Sequence, residues 1–107
     1  MKHCTTMAEV RAEIDRLDRQ LVGLIAERVG YIEAAARIKP ERSQVRDEWR
    51  ITDVLNKVRA TARKVGAPEA LVEMLYKNMV EWCIAHEFKV FDQRNGASGH
   101  AKARALK

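Results

Sequence analysis

The chain has 107 residues, 47% hydrophobic and 33% charged, with a formal net charge of +5. That length and balance fit one globular domain and exclude a disordered chain; no apolar run reaches a membrane span, and neither a membrane partner nor a secretory leader is expected. Lys102, Arg104 and Lys107 supply +3 of the charge from a tail, and no basic helix interleaves aromatics, so nucleic acid is not an expected partner either.

Helical signals dominate in chain order. Thr6 with Glu9 forms a capping-box pair that opens a first helix, and Pro40 ends it near Lys39. About 33 residues in a helix span about 50 Å. Apolar residues step along it by four and three: Val10, Ile14, Leu17, Leu21, Leu24, Tyr31, Ala35 and Ile38. Such a seam wants a partner helix along its whole length, and one small chain cannot supply it. A polar link over Glu41–Arg46 follows. Asp47 caps a second helix to about Lys64, carrying Ile51, Val54, Leu55 and Val58. Gly66 and Pro68 mark the next turn. A third helix runs to about Gln93, with Val72, Leu75, Tyr76, Met79, Val80, Cys83, His86 and Val90 on an apolar arc and Glu87 at its margin.

The expected architecture is therefore all-α, three helices in long–short–long order, intertwined in a homodimer. Residues 1–94 form the domain and residues 95–107 a basic, flexible tail. Cys4 and Cys83 make neither a disulfide framework nor a metal spacing, which suits a reducing cytoplasm.

Two cations interrupt the first seam. The step from Leu24 to Tyr31 lands on Arg28, and Lys39 falls nearly above it, about three turns on. A cation facing a core is costly unless paired, and no acid on that helix shares the stripe. Two partners are open: a carboxylate of another helix, or a small anionic ligand such as a dicarboxylate. Arg11 precedes Arg28 by 17 residues, about 25 Å along the axis. It is either a solvated residue or one lent to a partner chain's site. Arg46 and Arg50 share a face at the start of the second helix, next to Asp47, or are simply solvated there. Glu87, bordering an apolar arc, can act as a neutral acid if buried. His86 reads as packing or a satisfied core histidine, and Trp49 and Trp82 as packing residues.

Taken together, Arg11, Arg28 within AERVGYIEAAARIK, Lys39, VRDEWRITDVL and the late Glu87 resemble the all-helical chorismate mutase family, including its isochorismate-pyruvate lyase branch. The resemblance covers roughly residues 7–94. It implies a dimer with two equivalent sites, each completed by an arginine of the other chain. Arg28 and the partner's Arg11 would hold the substrate carboxylates. Lys39 would reach the ether oxygen and a carboxylate, and Glu87 would face that ether oxygen where the family usually has glutamine. Asp47, Arg50, Ile51 and Cys83 would complete the substrate-binding set. Ile51 stands where many mutases have a glutamate, which is lyase-like.

The implied reaction is the rearrangement of chorismate to prephenate. It needs no cofactor and no metal, only fixed cations around a folded dianion. Lyase activity on isochorismate and a non-catalytic helical interaction module are the alternatives.

Overall fold

The computed structural model describes the backbone of residues 1–106 and the side chains of residues 1–95. Three helices, α1 (Met7–Ile38), α2 (Glu48–Val65) and α3 (Glu69–Leu106), are joined by a short 3-10 turn at Arg42–Gln44 and a tight turn at Gly66. Among the described residues there is no strand.

Local chemistry explains each boundary. The Thr6 hydroxyl accepts the Glu9 amide at 3.2 Å, and the Glu9 carboxylate accepts the Thr5 and Thr6 hydroxyls in return. Pro40 disfavours helical backbone at Lys39, so α1 stops at Ile38, although the Lys39 amide still donates to the Ala35 carbonyl at 2.9 Å. Asp47 caps α2 by accepting the Arg50 amide at 3.1 Å. Gly66, at φ 77°, takes the left-handed conformation that closes α2, and the Ala67 amide reaches back to Ala62 at 2.8 Å.

The chain divides into two compact units, Met1–Tyr31 and Ile32–Lys107. In the first, the seam residues Ile14, Leu17, Leu21, Leu24 and Tyr31 remain uncovered, from Leu17 at 46% to Tyr31 at 70% exposed. In the second, α2 packs on α3. Its core is small: Ala36, Val45 and Phe91 cluster together, with Phe88 and Val90 packed against them, while Ala62, Val80 and Cys83 are also buried.

Two expectations change, and a third lies outside the described residues. α3 continues to Leu106 rather than ending near Gln93, because no proline follows and a glycine weakens a helix without terminating it. From residue 96 onward, the side chains of the expected flexible tail lie outside the described residues. Trp49 is exposed rather than packed, and Trp82, also exposed, lays its ring on His86 with centroids 5.0 Å apart.

Glu73 ties α2 to α3. It accepts from Arg59 at 2.5 Å and from Lys77 at 2.8 Å. Those two cations, Arg59 foremost, hold its carboxyl down at about 2. A depressed carboxyl contributes stability above its unfolded value and loses it as pH falls. A Glu73→Gln protein should therefore melt modestly below the parent at pH 7, with the gap closing as the pH approaches about 2. A gap independent of pH in thermal melts would show that the carboxylate's charge is not what joins the helices.

Candidate functional site

Lys39 is the first residue beyond α1, at a point where Pro40 turns the chain. Its ammonium donates to the Glu87 carboxylate of α3 at 2.8 Å and to the Val45 carbonyl at 3.4 Å. The two side chains differ in exposure: 28% for Lys39 and 5% for Glu87. A carboxylate this deep depends on its ammonium, since one ion without the other would be a desolvated charge. The carboxylate that pairs with Lys39 thus comes from another helix of its own chain. Glu87 is also more buried than its expected position at the margin of the arc. The buried stripe of α3 runs Val80, Cys83, Glu87 and Phe91, one residue round the helix from His86 and Val90.

Around this pair the chain is held by further ion pairs. Arg42 grips Asp92 through two bonds, at 2.9 and 3.2 Å, and its guanidinium lies 4.5 Å over the Phe88 ring. Arg46 forks onto Glu81 at 2.9 and 3.0 Å and also meets Glu48 at 2.7 Å. These contacts keep the Arg46 guanidinium charged and hold the Glu81 carboxyl below its ordinary value. Arg42 does the same to Asp92.

The other nominated residues are more dispersed. Asp47 is engaged in the α2 cap. Arg50 pairs with Asp53 at 2.6 Å, one turn on, and does not point with Arg46 at a common anion. Ile51 is half-buried on the first turn of α2, and Cys83 is buried at 2% exposure on α3. Arg11 and Arg28 belong to the first unit, Arg11 exposed and Arg28 half-buried. His86 lies 2.9 Å from Glu33 and stacks on Trp82, the satisfied histidine expected.

A concavity of about 630 Å³ lies in the first unit, lined by Met1, His3, Cys4, Val10, Ile14 and Leu17 among others. It contains none of the nominated residues, and part of its lining is the exposed seam of α1. Among the described residues no His, Cys, Asp or Glu cluster fit for a metal occurs, and no helix is long and apolar enough to cross a membrane.

The sequence profile of the type II chorismate mutases matches residues 10–88. The chain belongs to that family. A relative from Pseudomonas aeruginosa named isochorismate pyruvate lyase is 30% identical over 95 residues, covering 89% of this chain and 94% of its own length. The type II chorismate mutase match takes in Arg11, Arg28, Lys39, Asp47, Arg50, Ile51, Cys83 and Glu87. It stops short of Phe91, Asp92 and Arg94.

The sequence does not single out Phe91, the Val45 carbonyl, Arg42 or the Glu81 partner of Arg46. Phe91 had a signal, lying four residues beyond Glu87 on one helix face. The others had none, because their partners are distant in sequence.

Proposed function

We propose that the chain is a chorismate mutase working at the Lys39–Glu87 pair. The observation that supports this reading is the pair itself: the two side chains that the family resemblance assigns to the ether oxygen lie 2.8 Å apart, with the carboxylate almost wholly removed from water. The rearrangement breaks the ether C–O bond and forms a C–C bond within one molecule, so it calls for neither a nucleophile nor an electron carrier. Charge grows on the ether oxygen as its bond to carbon lengthens. An ammonium fixed beforehand lowers the barrier without having to reorganise. Arg28 and the partner's Arg11 take the two substrate carboxylates in this proposal, holding the dianion in its folded conformer. Asp47, Arg50, Ile51 and Cys83 complete the proposed lining.

A second reading, isochorismate-pyruvate lyase, is favoured by the Pseudomonas aeruginosa relative and by the apolar Ile51. It uses the same cations to release pyruvate. The test is purified protein with each substrate separately. Loss of chorismate absorbance without pyruvate supports the mutase, pyruvate from isochorismate supports the lyase, and no turnover of either overturns both.

Glu87 is tested by substitution. An ether oxygen accepts hydrogen bonds and cannot donate them, so an ionised carboxylate facing it repels. Glu87→Gln supplies a permanent donor of nearly the same shape and should raise the initial rate. If the variant turns over at the parent's rate, the carboxyl takes no part in the reaction.

A further inference from the structure

We propose that Arg94 is a positioning residue for Lys39, its guanidinium holding the main chain on which the reacting ammonium is mounted. The proposal rests on the reading of Lys39 and Glu87 as the reacting pair. It concerns a residue outside the segment matched to the family.

The last carbonyls of a helix have no intrahelical donor. At the end of α1 the Arg37 carbonyl is met by a side chain from α3. Arg94 donates through Nη1 to the Arg37 carbonyl and through Nη2 to the Lys39 carbonyl, the latter at 3.4 Å. A cation there also complements the negative end of the helix. The planar fork spans two carbonyls at once, which a lysine ammonium on a flexible stem would do poorly. The guanidinium has its own seat, 5.3 Å from the Phe91 ring centroid, and Phe91 is buried beside Ala36 and Val45.

Glu87, Phe91 and Arg94 stand at i, i+4 and i+7 on one face of α3. That face grips Lys39 at both ends, with Glu87 at the ammonium and Arg94 at the carbonyl. The Lys39 amide is fixed as well, donating to Ala35. Side-chain tip, N–H and C=O are thus all anchored. The Arg42–Asp92 pair repeats the pattern on the 3-10 turn that follows. An ammonium mounted in this way meets the developing charge already oriented, where a loose one would need to search.

The test compares Arg94→Ala and Arg94→Lys with the parent, using steady-state rates on chorismate and isochorismate and amide hydrogen exchange of the whole chain. Arg94→Ala should lower kcat about tenfold or more while KM changes little, because misplacing a reacting group acts on the chemical step. Arg94→Lys keeps the charge, loses the fork and should recover only part of the rate. The Lys39, Gln44 and Val45 amides, which donate to Ala35, Glu41 and Arg42, should exchange faster in Arg94→Ala, while α2 keeps its protection.

Unchanged exchange at those three amides would overturn the proposal. So would a kcat loss accompanied by faster exchange throughout the chain, which marks a merely structural residue. If the parent turns over neither substrate, the functional reading fails by itself, and the exchange measurement still decides whether Arg94 holds Lys39.

Discussion

Lys39→Met should lose activity and stability together. The stability loss comes from Glu87, whose carboxylate is 5% exposed and takes its counter-charge from Lys39 at 2.8 Å. Breaking a buried pair from one side costs about 3–5 kcal/mol, and the lower end applies because Lys39 keeps 28% of its side chain in water. In the proposed mechanism the activity loss comes from the missing ammonium at the ether oxygen, about a hundred- to a thousandfold in rate. A double variant, Lys39→Met with Glu87→Gln, separates the two effects. An amide needs no counter-charge, so most of the stability should return, while the rate should stay low for want of the cation. Denaturant unfolding and initial rates measure both. A Lys39→Met protein as stable as the parent would mean that Glu87 finds another partner. A double variant that regains the rate would remove Lys39 from the chemistry.

The features legible in the sequence are those written locally. Thr6 with Glu9, Asp47 and Gly66 each signal a boundary through chemistry within a few residues, and α1 and α2 begin and end within a residue or two of the expected positions. Lys39 stood out because a cation interrupts an apolar seam. The identity of its partner did not, because Glu87 is 48 residues away and no periodicity joins them. The arc of α3 holds at Val80 and Cys83, both buried, and departs only beyond them, for a related reason. Hydropathy favoured the arc through His86 and Val90 over one through Glu87 and Phe91, since a glutamate looks like a surface residue until its lysine is placed. The link after Pro40 was legible as polar chain. That it is fastened to α3 by Arg42–Asp92 and Arg46–Glu81 was not, for these pairs span 50 and 35 residues. A charged residue in isolation looks the same whether it is solvated or clamped.

Arg11→Ala mixed with Lys39→Met should restore activity that neither variant has alone. Arg11 and Arg28 lie 17 residues apart on α1, about 25 Å along its axis, so one small dianion on Arg28 cannot also touch Arg11 of the same chain. The exposed seam of Ile14, Leu17, Leu21 and Leu24 is an apolar surface of the kind that marks an interaction site. A second copy laid along it would bring its own Arg11 and form a two-fold symmetric pair. The protein should then sediment at about twice the 12.2 kDa chain mass. In a mixed dimer one site has an intact Lys39 and receives an intact Arg11, while the other lacks both. Random exchange makes half of all dimers mixed, so an equal mixture should recover about one quarter of parental activity, given one restored site in each mixed dimer. Subunit exchange is followed independently with a mass-tagged chain. Full exchange without recovered activity would mean that Arg11 does not complete the partner's site. A folded, active monomer would remove the shared site altogether.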